Sequence, residues 1–191
     1  MATNPVSQET AVASAKDNLD KVLADSASTT DQIIAARDAL KDAVADALEA
    51  RNNALNGADT AISNASQSTA ALDPDVIAAQ KALQEAVDSA NADTGTTDAV
   101  TKATEALNKA ISDAQADQEA ARAAAAAAIA AMTPVSNEAN ILAASKSLQD
   151  ILDNQNATAD EITNATTALT NATATEKGTR SDAVSAAETA I

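Results

Sequence analysis

The large aliphatic residues of this chain are sparse, and they recur at helical spacing. Leu19, Val22 and Leu23 sit at i, i+3 and i+4, as do Leu148, Ile151 and Leu152, while Leu83 and Val87 sit one turn apart. Such spacing places each set on one helix face. These sets mark three short helices, expected over about Ser7–Asp25, Pro74–Ala90 and Val135–Asn154. Pro5, Pro74 and Pro134 stand near their starts, where a first turn tolerates proline. Polar loops follow, "SASTT", "NADTGTT" and "NQNATA".

After each loop comes nearly the same phrase: "DQIIAARDAL" (31–40), "DAVTKATEAL" (98–107) and "DEITNATTAL" (160–169). Thr29 with Gln32 and Thr158 with Glu161 have capping-box spacing. Thr96 faces Ala99 in the middle copy, which keeps half of the box. From Leu40 to Ile62, Leu107 to Ile129 and Leu169 to Ile191 the separation is 22 residues each time. Asp31 and Asp98 are 67 residues apart, and Asp98 and Asp160 are 62 apart. The pattern predicts three helical repeats, 1–62, 63–129 and 130–191.

The second helix of a repeat is long. The middle one runs from Asp98 to Met132 without Pro or Gly, 35 residues or about 53 Å. Its stripe reads Val100, Ala103, Leu107, Ile111, Ala114, Ala121, Ala125, Ile129 and Met132, near a seven-residue repeat with small residues in half the seam. Gly57 and Gly178 weaken the equivalent stretches by about 1 kcal/mol each relative to Ala. The expected fold is therefore all-α: a tandem array of three helical repeats with alternating short and long helices. Its cross-section is a three-helix bundle, as in a spectrin-like rod. Each unit would advance by the length difference, roughly 20–25 Å. The alternative breaks each long segment, near 113–119 and 173–179, into separate bundles.

Composition tests whether such a chain folds at all. Leu, Ile and Val make up 31 of 191 residues and Phe is absent, a low share that with net charge −16 resembles disorder. Abundant Ala and the kept helical spacing oppose that reading. Composition also removes chemistry. Without His there is no imidazole base or ligand, and without Cys there is no thiolate, zinc–sulfur site or disulfide. Without Phe, Trp or Tyr there is no stacking platform for bases. The negative charge repels phosphates and anionic lipid, and no stretch reaches the roughly 18 apolar residues of a membrane span. Nucleic acid and membrane insertion are not expected.

No catalytic, cofactor-binding or metal site is expected. The carboxylates of "DNLD" (17–20), "DPD" (73–75) and "DAQAD" (113–117) lack the alternation and glycine turn of a calcium loop. They read as solvated faces and helix-start charges. Lys146 between Ser145 and Ser147 is a surface pattern, because a nucleophile also needs an orienting group. "NAS" at 64–66 and "NAT" at 156–158, 164–166 and 171–173 follow from an Asn/Ala/Thr-rich composition. The run "AARAAAAAAIAAM" (120–132) suits a tight helix contact. The Thr series 94, 97, 101, 104 does not continue into it, which counts against an antifreeze-like or designed alanine bundle.

Across the first repeat boundary the chain reads "ALNGADTAISNASQSTAALDPDVIAAQKAL" (54–83). Ile62, the "NAS" at 64–66 and the "LDP" at 72–74 give this junction its resemblance to FIVAR-type, Ebh-like helical repeats of Gram-positive bacterial cell-surface adhesins. The usual aromatic residues of those repeats are missing here. The resemblance implies an extracellular, cell-wall-attached stalk. The N-terminus "MATNPVSQET" is no signal peptide, and Met1 reads as an expression start on a piece of a longer protein. The expected partners are the neighbouring repeats of a monomeric chain. The alternative is a host-protein-binding module for albumin or a matrix protein, with Arg37, Arg51 and Arg122 as its anchors.

Overall fold

The computed structural model describes residues 6–190. Pro5 and Ile191, named above, lie outside them. The described residues form six helices and no strand: α1 (Thr10–Ala24), α2 (Thr30–Gln67), α3 (Pro74–Asn91), α4 (Thr97–Ala130), α5 (Ala139–Leu152) and α6 (Ala159–Thr189). Short and long helices alternate, with α1, α3 and α5 at 15, 18 and 14 residues. The long ones, α2, α4 and α6, have 38, 34 and 31 residues.

The long segments do not break. α4 runs through 113–119 and α6 through 173–179. Neither stretch contains proline, and an exposed glycine costs about 1 kcal/mol, too little to end a helix rich in Ala. Gly57 and Gly178 stay helical with open space where a Cβ would stand.

The starts of the long helices follow their caps. Thr158 and Glu161 close a reciprocal box, at 2.9 Å from Thr158 N to Glu161 Oε2 and 3.3 Å from Glu161 N to Thr158 Oγ1. Thr29 and Gln32 do the same at 2.7 and 3.3 Å. At α4 only the Thr96 half exists, since Ala99 offers nothing back.

Two short helices begin later than their letters suggest. α1 opens at Thr10 and α5 at Ala139. Val6 and Val135 are buried just before them. Each valine is held in the core by a turn: Glu9 N donates to Val6 O, and Glu138 N donates to Val135 O. The helix starts once that turn is complete. Pro74 is the first residue of α3, as its missing N–H allows.

The chain divides into two compact units, Met1–Ser66 with Ile77–Ala110, and Gln67–Val76 with Ile111–Ile191. In the second unit Ala121 and Ala125 of α4 meet Ile141 and Leu148 of α5 and Ile162 and Leu169 of α6, with Val135 and Ala157 alongside. Alanine on one helix leaves room for the branched side chains of the other two, which is how few large residues make a close-packed core. Full burial of Leu148 or Leu169 contributes about 2–3 kcal/mol. In the first unit the buried set is Val6, Val12, Ala36, Ala58, Ala61, Ala65, Leu83, Val87, Ala90, Val100 and Leu107. Leu23 departs from its expected core place and is 58% exposed.

Candidate functional site: polar clamps at helix ends

An α-helix leaves its first N–H groups and last carbonyls without partners. In this chain the polar side chains that enter the buried seams go to those groups. Arg51 lies on α2 among alanines and is buried. Its Nη2 donates to Ala90 O in the last turn of α3, and its Nη1 pairs with Asp93 Oδ1 at 3.2 Å. Asp93 has φ 59°, a left-handed conformation that Asp tolerates better than most residues. The guanidinium therefore holds both the helix end and the residue that turns the chain out of it. Gly95 completes this turn. A Cβ there would come within 2.9 Å of Ala90 N, so only glycine fits.

Arg122 serves α5 in the same manner. Its Nη1 donates to Leu152 O at 2.8 Å and its Nη2 to Asn154 O at 3.0 Å. Lys177 donates to Ala131 O, just past the end of α4, at 2.8 Å. Cations at helix C-termini also meet the negative end of the helix dipole. The opposite sign serves a helix start: Glu9 Oε1 accepts from both Thr97 N and Thr97 Oγ1, each at 2.6 Å.

Gln118 completes the set. It is 6% exposed, in the α4 seam between Ala114 and Ala121. Its Nε2 donates to Thr69 O at 3.0 Å and to Ala157 O at 2.9 Å. Its Oε1 accepts from Thr69 Oγ1 at 3.1 Å. One amide thus ties α4 to the loop before α3 and the loop before α6.

These contacts relocate the residues read as binding anchors. Arg51 and Arg122 face inward onto carbonyls, and Arg37 pairs with its neighbour Asp38 at 2.7 Å. Gln118 is absent from the apolar stripe as read from the sequence. The signal for it was the gap that the stripe leaves between Ala114 and Ala121.

The remaining candidate features have local structural roles. Asp73, Asp75, Asp117 and Asp160 line one hollow in the second unit. Asp75 and Asp160 lie in first helical turns, and Asp73 Oδ1 accepts from Asp75 N at 2.9 Å. Among the described residues no group of three or more carboxylates is placed to hold a metal ion. Lys146 pairs with Asp150, not with a serine. Ser66 and Thr166, from two of the Asn-Ala-Ser/Thr triplets, donate to the carbonyls of Ile62 and Ile162. Of the alanine run, Ala121 and Ala125 are buried and most others are exposed. No described helix is long and apolar enough to cross a membrane. No family model, curated protein or solved structure matches the chain.

Proposed function

We propose that this chain is a non-catalytic stalk: three helical repeats, 1–62, 63–129 and 130–191, of an extracellular, cell-wall-attached bacterial adhesin that hold a binding domain away from the surface. The observation that carries this reading is the destination of the polar side chains. Arg51, Gln118 and Arg122 are spent on helix ends of the chain itself. A binding or catalytic module would turn such groups toward a cleft.

Burial supports the repeat. Val6, Ala70 and Val135 occupy matching positions and all are buried. So do Val12, Val76 and Ile141. Arg51 and Gln118, both buried and polar, also correspond, by the same 67-residue step that separates Asp31 from Asp98. The letters behind the FIVAR-type resemblance make local structure at the junction after α2: Ser66 bonds Ile62 O, Asp73 caps Asp75 N, and Pro74 opens α3.

The mechanism is geometric. Units share their seams with neighbours, so stability is distributed along the array. The charge of −16 keeps stalks apart and soluble. Small-angle X-ray scattering in dilute solution tests the proposal. A rod should give a radius of gyration of about 25–30 Å, from units advancing roughly 20–25 Å each. A value near 16 Å, that of a compact chain of this length, would refute it.

A further inference from the structure

Both ends of the array carry seam positions that lack the cover their counterparts have. Ile33 and Leu40 at the start of α2 are half-buried, whereas the matching Val100, Leu107, Ile162 and Leu169 are at most 1% exposed. Leu19 is half-buried, whereas Leu83 and Leu148 are fully buried. At the other end, every residue from Lys177 to Ala190 is exposed, although α6 runs to Thr189. The matching stretches of α2 and α4 contain the buried Arg51, Ala58 and Ala61, and Gln118, Ala121 and Ala125. In α6 the same register brings Arg180, Ala183 and Ala187. The α1–α2 hairpin lacks the end of a long helix, and the end of α6 lacks a hairpin.

We infer that a second copy of this chain supplies both, the α6 tail of one molecule seating against the α1–α2 hairpin of the next. The inference rests on the repeat reading above and extends its seam from within one chain to between two. Two polar contacts accompany it. Glu9 accepts from Thr97 N and Oγ1. Glu138 holds the position of Glu9, is exposed, and makes no side-chain cap on α5. Thr30 holds the position of Thr97 at the start of α2. Glu138 of one copy therefore caps Thr30 of the next. Arg180, in the place of Arg51, donates to the last carbonyls of the partner's α1, beside its exposed Leu23.

This contact is heterologous and does not close on itself, so it builds open chains of copies. An isolated helix of the tail's length is marginal in water, so docking also completes its folding. Repulsion between copies carrying −16 each opposes association, and added salt relieves it.

Sedimentation equilibrium of the full chain across a hundredfold concentration range tests the inference. The samples are held at about 0.3 M salt, where screening acts over about 5–6 Å. The weight-average mass should at least double, with no plateau at the dimer. Two variants block one face each and alter only residues exposed in the single chain: Ala183→Glu/Ala187→Glu on the tail, and Leu23→Glu on the hairpin. Each alone should remain monomeric, with unchanged helix content by circular dichroism. Mixed together they should form a one-to-one dimer and nothing larger, since one intact face remains on each. A wild-type mass that stays constant would overturn the inference, as would association that survives the tail substitutions. An extended chain that never associates would leave the stalk standing without this contact. A compact chain would remove both.

Discussion

Gln118→Leu puts a leucine into an apolar seam, and simple hydrophobic patterning expects it to stabilise the protein. The structure predicts the reverse. The substitution removes three hydrogen bonds, two to carbonyls and one from a hydroxyl. Thr69 is exposed, so its two groups rehydrate at small cost. Ala157 is 1% exposed, so its carbonyl is stranded. A stranded buried acceptor costs about 1–3 kcal/mol, and each lost neutral bond about 1 kcal/mol. The new side chain returns about 1 kcal/mol through its added apolar burial. The net is a loss of about 2 kcal/mol, or about 4–8 °C in melting temperature for a chain of this size. Urea denaturation should show a lower midpoint. Native-state hydrogen exchange should show amides at Ile162 and Leu169 opening about 30-fold more often, that energy expressed as a ratio. An unchanged or raised midpoint would mean that Gln118 fills space without tying loops, and the clamp argument would fail with it.

Four further outcomes follow from the same contacts. Thr173 Oγ1 is buried without a partner, at the seam position where the other copies have Val44 and Ile111, so Thr173→Val should raise stability by about 1 kcal/mol in urea melts. Arg51→Ala should cost about 2–3 kcal/mol, discounted for the partial exposure of Asp93, while Arg51→Gln should cost about half that; equal losses would show that the charge and reach of Arg51 are irrelevant. Gly57→Ala and Gly178→Ala should each stabilise by up to about 1 kcal/mol, because their Cβ positions are open, whereas Gly95→Ala should destabilise, and thermal melts of the three variants would reverse the argument if the signs were swapped. Stability should be flat between about pH 6 and 9, since there is no His or Cys to titrate there. Lys16 and Lys102 are raised above the ordinary lysine value by hydrogen bonds to Asp20 and Asp98. Their contribution is complete below that ordinary value and fades only as pH climbs through the raised one, so a transition near neutrality would contradict this assignment.

The helices were legible because their signals are local. Capping at Thr29 and Thr158, the half cap at Thr96 and the alternation of helix lengths depend on residues within a few positions of each other. The clamps were not legible because their partners are distant: Arg51 meets Ala90 and Asp93, and Gln118 meets Thr69 and Ala157. On a helix of Ala, Asp and Lys, an Arg reads as one more solvated charge. Nothing within its own turn tells that a helix end lies above it. The late start of α5 has a similar cause. Pro134 marks a helix start by local rules, but Val135 is drawn into a core made by residues farther along the chain, and the helix waits for the turn that allows this.

An alanine seam explains why the clamps are there at all. Alanine lets helices approach closely, yet it buries little area per residue, so the contact is weak per turn and nearly uniform along its length. A uniform seam has no preferred register: sliding one helix by a turn exchanges Ala for Ala. The run 120–132 is the extreme case, with buried Ala121 and Ala125 among near-identical neighbours. A single Arg or Gln that must reach a particular carbonyl removes that freedom, because a slip by one turn would strand a buried polar group. Arg51, Gln118 and Arg122 each fix one helix against another at one such point. Register is thus set by a few polar contacts, and cohesion by many small apolar ones. This division of labour accounts for a core built from so few large residues, and for polar groups where a simple apolar stripe would place none.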